Sequence, residues 1–282
     1  MNIGVVGLGL MGGSFARAAI KKGETVYGYD VSESAMLKAE MLKAINFPLT
    51  EENADKIDLL LLAITPDKIE SVLDKFVPKL KSGAIVNDFC GIKRGVVSVM
   101  KKYAEKFPEI IFIGGHPMAG REFSGIEHSS VNLFDNASMI LVNVNADIFT
   151  LERIKKFYLD FGFKNVEMCS AELHDQRIAF TSQLCHIVSN AFIKNDNAEV
   201  HDGFSAGSYR DMTRVARLDP VMWGNLMTEN SENLINELDQ LIFHLNEYKT
   251  ALKAKDKACL TKLLSDGNER KLSIDVKSSK KE

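Results

Sequence analysis

A chain of 282 residues, 45% hydrophobic and 26% charged, is long enough for two domains that each bury an apolar core. Lys and Arg number 35 against 38 Asp and Glu, and the net charge of -3 points away from nucleic acid or an anionic membrane as the main partner. No apolar run approaches the ~20 residues of a membrane span, no basic leader precedes the first strand, and Cys90, Cys169, Cys185 and Cys259 form no C-x-x-C pair. The expectation is a cytoplasmic protein with reduced interior thiols and no metal site.

Asn2–Val6 reads as a short apolar strand, followed by Gly7, Leu8, Gly9, Leu10, Met11 and Gly12 and then a helix-like run through Ser14, Phe15 and Ala16. This is G-x-G-x-x-G between a strand and a helix. The first glycine makes the tight turn, the second admits a pyrophosphate, and the third lets helix pack closely on strand, so phosphates meet a helix N-terminus. A second strand, Thr25–Tyr29, ends in Asp30. A carboxylate there accepts hydrogen bonds from both ribose hydroxyls of NAD and repels the 2′-phosphate of NADP, so the predicted cofactor is NAD.

Apolar strands then alternate with helical segments. Strands are predicted at 57–64, 83–88 and 138–144, with helices from Pro66, from about Gly95 and over Ile148–Phe161, and a strand over 165–169. This alternation predicts a doubly wound parallel sheet of Rossmann type covering residues 1–170. Thr65 and Pro66 suit an N-cap with proline at the first helical position, on a strand end that lies over the cofactor.

Within this domain, residues 110–125 (IIFIGGHPMAGREFSG) are an apolar run that stops at Gly114 and Gly115, just before His116 and Pro117. The run reads as a central parallel strand that delivers His116 into the crevice at the carboxyl ends of the strands. A structural turn histidine is the alternative, and the glycines on both sides leave little side chain to bury one.

From residue 171 the pattern becomes helical with no convincing strand, which predicts a separate all-helical domain over 171–282. On its first helix, at 100° per residue, Asp175, Ser182 and His186 share one polar stripe, while Phe180, Leu184, Ile187, Val188 and Ala191 lie toward the other side. Such a stripe on a buried helix is costly unless it lines a site. Arg210 and Arg214 then fall four apart, suited either to gripping a carboxylate or to a solvated basic face. A last long helix carries Leu234, Leu238, Leu241, Leu245, Tyr248 and Leu252, broadened by Ile235 and Ile242. That is a heptad seam, able to pack within the domain or against a second copy. The lysine-rich end at 277–282 is expected to fray.

These motifs together resemble the prephenate dehydrogenase family over nearly the whole chain: GLGLMGGS at 7–14, GGHPMAG with SG after it at 114–125, HD at 174–175, TSQLCH at 181–186 and YRDMTRVA at 209–216. The resemblance implies a Rossmann domain, a helical dimerisation domain, and oxidative decarboxylation of prephenate, or of its transaminated relative arogenate, with NAD(P). His116 matches the family's catalytic histidine, Arg214 the arginine that binds a substrate carboxylate, His186 a second substrate-site histidine, and Trp223 an aromatic lining residue. Ser182 and Arg210 join the expected substrate site. Gly91 stands where the family commonly has a serine bonded to the catalytic histidine, which leaves Cys90, a water or a backbone group to orient His116. The β-hydroxyacid dehydrogenases share the opening motif, but their lysine in a glycine-rich helix has no counterpart here, since no glycine cluster precedes Lys194. A nicotinamide-binding sensor without catalysis is the rival from another class, and an intact His116 with Arg214 argues against it.

Overall fold

The computed structural model describes residues 1–121 and 123–279. Eight strands form one sheet in the order β3-β2-β1-β4-β5-β6-β7-β8. They are β1 Asn2–Val6, β2 Thr25–Tyr29, β3 Phe47–Pro48, β4 Leu59–Leu62, β5 Ile85–Asp88, β6 Ile111–Pro117, β7 Ser138–Asn143 and β8 Asn165–Met168. Helices α1 Leu10–Lys21, α2 Glu33–Met41, α3 Ile69–Phe76, α4 Arg94–Lys106 and α5 Ile148–Phe161 cover its faces. Successive strand residues serve opposite layers, as a pleat of period two requires. Ile3, Val5, Leu59, Leu61 and Ile113 pack in one core, and Val6, Leu60, Leu62, Val86 and Phe112 in the other. Burial on both faces is why these strands read as unbroken apolar runs.

The sheet is mainly parallel, with one exception. β6 and β7 pair antiparallel, Gly115 opposite Leu141 and His116 opposite Ile140. A parallel return needs a crossover, and among the described residues 118–137 hold only the single turn Ile126–His128. The expected break at Gly114 and Gly115 is also absent, because β7 keeps pairing with β6 as far as Pro117. Gly115 is there for clearance: a Cβ would lie 2.5 Å from the Asp88 carbonyl and 2.7 Å from Met139 Cε. Helix α1 is fixed by an aromatic cluster, with Phe15 stacked on Phe161 at 4.3 Å and edge-on to Phe89 at 5.4 Å. Pairs of this kind add about 0.5–1.5 kcal/mol each beyond area burial.

The helical part comprises α6 Ala171–Ile178, a π-helical segment Ala179–Leu184, α7 Cys185–Phe192, α8 Gly207–Thr213, α9 Pro220–Glu229, α10 Ser231–Lys253 and α11 Lys257–Ser279. By compactness the chain divides into Met1–Asn230 and Ser231–Glu282, later than the change of pattern near residue 170. Buried hydrogen bonds account for the difference. Asp175 of α6 accepts from the backbone of Lys93 and Arg94 at the start of α4, and Asn230 donates to the Asp175 carbonyl at 2.8 Å.

The second unit is an antiparallel pair, α10 and α11, in which Tyr248 donates to the Leu263 carbonyl at 3.2 Å. Of the leucine seam, Leu234 is buried, while Ile235, Ile242, Leu245 and Leu252 are exposed. The frayed end expected at 277–282 lies, from 280 onward, outside the described residues; α11 runs as far as Ser279. Thiols occur on both sides of the surface, Cys90 being buried but Cys185 and Cys259 exposed, so they are not all interior. Among the described residues no helix is long and apolar enough to cross a membrane.

Candidate active site

The carboxyl ends of β1, β2, β4, β5 and β6 share one edge of the sheet, and the order reverses between β1 and β4, the place where open α/β sheets take ligands. The glycine motif turns there. A Cβ on Gly12 would lie 1.8 Å from the Gly7 carbonyl, so that position admits nothing larger than glycine. A Cβ on Gly9 would meet no atom within 4 Å, which leaves open space in front of α1. Gly9 is the N-cap and offers no side-chain acceptor, so the first amides of α1 face that space with their positive dipole end. A cavity of about 200 Å³ adjoins it, lined by Leu8, Gly9, Asp30, Ser32, Lys38 and Glu127 among others. Asp30 is braced by the Leu8 amide at 2.7 Å and the Ser32 amide at 2.9 Å. Open backbone at Gly9, a bare helix N-terminus and a braced carboxylate fit the pyrophosphate and ribose of a dinucleotide. Thr65 and Pro66 follow β4 and open the short turn Pro66–Lys68; Thr65 is its N-cap in position, but its side chain makes no capping bond.

His116 lies near the end of β6, half-buried. Its Nδ1 is 2.9 Å from His174 Nε2, and His174 Nδ1 is 2.7 Å from Asp175 Oδ1. Asp175 also accepts from the Lys93 amide at 2.7 Å and the Arg94 amide at 2.9 Å. Although some of its surface is reached by solvent, His116 is hemmed in densely enough that burial pushes its pKa well below the ordinary imidazole value, and His174 and Lys93 add to this. Burial lowers His174 as well, against the opposing pull of Asp175. For Asp175 burial alone would raise the carboxyl, but its bonds from His174 and the two amides outweigh that and bring it below the usual range. At neutral pH the arrangement is two neutral imidazoles and one carboxylate.

Beneath the histidines lies a fully buried ion pair, Lys93 Nζ with Asp88 Oδ2. Asp88 also accepts from the Cys90 amide at 2.8 Å and the Gly115 amide at 3.1 Å, joining the ends of β5 and β6. Cys90 does not orient His116, since its thiol is directed at the Ile64 carbonyl at 3.3 Å. The partner of His116 is His174, which the sequence marks only as half of the dipeptide His174-Asp175 and which is brought in from another element 58 positions away.

The predicted stripe of Asp175, Ser182 and His186 does not form. The π-helical segment between them carries an extra residue per turn and so rotates the face that follows. Asp175 is buried beneath α4, whereas His186 is half-buried and stacked on Trp223 with ring centroids 3.8 Å apart. Phe180, expected on the apolar side, lies within the π segment and is 58% exposed. His186 Nδ1 bonds the Ser182 carbonyl at 2.9 Å, so it is the Ser182 backbone that meets His186. Arg210 lies on α8 and lines a cavity of about 400 Å³ with His201, Ser205, Tyr209 and Thr213. Arg214 is the helical C-cap of α8 and is exposed.

A dinucleotide cradle and a neutral histidine on the same edge of a mainly parallel sheet define an NAD-dependent dehydrogenase. Residues 15–167 match the family model of the prephenate dehydrogenase nucleotide-binding domain, and residues 170–266 that of the prephenate dehydrogenase dimerization domain. The chain belongs to the prephenate dehydrogenase family. It is 30% identical to the cyclohexadienyl dehydrogenase of Zymomonas mobilis, over 97% of this chain and 96% of that one. The prephenate dehydrogenase of Aquifex aeolicus, solved with hydroxyphenyl propionate and NAD+, superposes with a TM-score of 0.83 at 28% identity, covering 97% of this chain and 98% of that one. The arogenate dehydrogenase of Synechocystis gives a TM-score of 0.81 at 27% identity, over 97% and 100%.

Proposed function

We propose that the chain converts prephenate to 4-hydroxyphenylpyruvate, a step of tyrosine biosynthesis. The observation that carries this reading is His116, an imidazole kept neutral by burial on the sheet edge where the glycine motif turns. Residues 1–170 bind the cofactor through Gly7, Leu8, Gly9, Leu10, Met11, Gly12 and Asp30, with Thr65 and Pro66 beside it. When bound, NAD supplies the acceptor for the hydride that leaves the ring carbinol carbon. His116 takes the carbinol proton, a task for which a neutral imidazole contributes roughly a hundred- to ten-thousandfold. Loss of the ring carboxylate as carbon dioxide leaves its bonding electrons in the ring, which becomes aromatic. The same proton returns from His116 to the phenolate oxygen, so no net proton is released.

Residues 171–282 supply the rest of the substrate site and the dimer contact. Arg214 holds the side-chain carboxylate, because an arginine on the ring carboxylate would oppose its departure as a neutral gas. His186, stacked on Trp223, bounds the same site, with Arg210 and Ser182 nearby in sequence. Arogenate is the second reading, supported by the comparable likeness to the Synechocystis arogenate dehydrogenase. It shares the carbinol and ring carboxylate and differs only in the side chain. Steady-state assays of NADH formation with prephenate and with arogenate test both. A higher kcat/KM for arogenate replaces the substrate, and no turnover with either overturns the reading.

A further inference from the structure

We infer that His174, braced by Asp175, is the positioning residue that holds His116 in its Nδ1–H tautomer and leaves Nε2 as the bare nitrogen. The inference rests on the reading of His116 as the base, and it answers what replaces a serine at Gly91. The argument starts at the far end of the chain of contacts. Among the described residues the Asp175 carboxylate meets donors: the amides of Lys93 and Arg94, and Arg94 Nε at 3.5 Å. An ionised carboxylate only accepts, so the 2.7 Å contact with His174 requires the hydrogen to be on His174 Nδ1. A neutral His174 then has only a lone pair on Nε2. The 2.9 Å contact between that nitrogen and His116 Nδ1 therefore takes its hydrogen from His116. His116 Nε2 is left unprotonated, the state a proton acceptor needs.

The alternative assignment, an imidazolium at His174 donating to His116, puts a second buried cation beside Lys93. Burial of His174 opposes it. The rings meet by their edges, at 56° to one another with centroids 5.1 Å apart, as a hydrogen bond demands and stacking does not. Among the described residues His174 is the hydrogen-bond partner of His116, and Cys90 is turned to the Ile64 carbonyl. Once His116 Nε2 accepts a proton, its Nδ1–H becomes a charge-assisted donor, and such bonds are roughly twice as strong as neutral ones. His174 transmits that demand to Asp175, so the cation formed at His116 is balanced through two hydrogen bonds without a carboxylate touching it.

The test reads the tautomer directly. Histidine side-chain nitrogen spectra of the full-length protein, recorded above the imidazole pKa and assigned with His116→Asn, should show His116 protonated at Nδ1 and bare at Nε2. In His174→Phe the ring should shift toward the Nε2–H form. kcat should drop toward the roughly hundred- to ten-thousandfold that a correctly protonated general base contributes, while KM for NAD stays within about threefold. His174→Gln, whose amide oxygen can accept from His116, should restore the wild-type tautomer and most of kcat. A wild-type His116 protonated at Nε2, or a tautomer unmoved by His174→Phe, would overturn the inference. If His174→Phe does not fold, the wild-type spectrum and His174→Gln still decide. The base reading fails separately, on a His116→Ala enzyme that keeps its turnover.

Discussion

Replacing Asp30 with asparagine should narrow the preference for NAD over NADP by roughly thirtyfold. Three charged groups line the cavity beside Gly9: Asp30, Lys38 and Glu127. Lys38 is already engaged by Glu127 at 3.3 Å, so the net charge facing a ribose is that of Asp30. Two unit charges roughly 4 Å apart interact by about 4 kcal/mol at an effective dielectric of 20. The cavity is open to water, and halving the figure for that leaves about 2 kcal/mol, or roughly thirtyfold in kcat/KM. Asp30→Asn removes this repulsion of the 2′-phosphate. It also sets an amide against two backbone donors, so NAD binding should weaken as well. The assay is kcat/KM for both cofactors at saturating prephenate, repeated at high salt, where the discrimination should shrink. A wild-type enzyme that prefers NADP, or an Asp30→Asn enzyme with an unchanged ratio, would refute the reasoning.

His116→Ala should lower kcat at least ~100-fold while KM for NAD changes by less than about threefold, and a mutant near wild-type turnover would remove His116 from the chemistry. Because burial depresses the His116 pKa, the base stays neutral below the ordinary imidazole range, and the acid limb of kcat/KM should lie below about pH 6.5. The stability effect has the matching sign: below that pH the unfolded chain binds protons that native His116 and His174 refuse, so denaturant stability should fall as pH drops from about 6.5 toward the native values. Arg214→Ala should raise KM for prephenate and arogenate alike by roughly tenfold or more, with Arg214→Lys recovering part and Arg210→Ala milder, and the reverse ranking would exchange their roles. A dimer formed through the helical region should show in light scattering at micromolar concentration, and charged residues at Leu241 and Leu245 should dissociate or unfold it; a wild-type monomer would sink this.

The Rossmann half was legible because its signals are local. Glycines that a Cβ would clash with, and strands apolar on both faces, can be recognised residue by residue. The direction of β7 was not, since it depends on there being no crossover helix among the described residues of 118–137, a segment with no periodicity of its own. β3, two residues long, was too short to signal. In the helical half one assumption failed: 100° per residue holds through Ile178 and breaks in Ala179–Leu184, where nothing in the residue types announces a wider turn. The long helix α11 carries little signal in the sequence, because its exposed apolar residues Leu264, Leu272, Ile274 and Val276 form no narrow stripe in a polar stretch. The place of His116, near the carboxyl end of an apolar strand of the sheet, was legible from the run that precedes it, although the glycines do not end that strand. The partner of His116 was not, because a contact between residues 116 and 174 is a property of the folded chain.

The buried pair of Asp88 and Lys93 bears on which sequences this chain can reach by single steps. Losing one member would strand the other charge away from water, at a cost of about 3–5 kcal/mol, whereas replacing both by uncharged residues removes the stranded charge, provided the residue at 88 still offers an oxygen to the Cys90 and Gly115 amides. The present pair and the uncharged pair Asp88→Asn with Lys93→Met are then two basins with a ridge between them, and each single step climbs it. A double-mutant cycle over Asp88→Asn and Lys93→Met measures the height of that ridge, and additive losses would flatten it. Residues under the catalytic edge are held in place by the poor intermediates around them, whatever their own worth to folding.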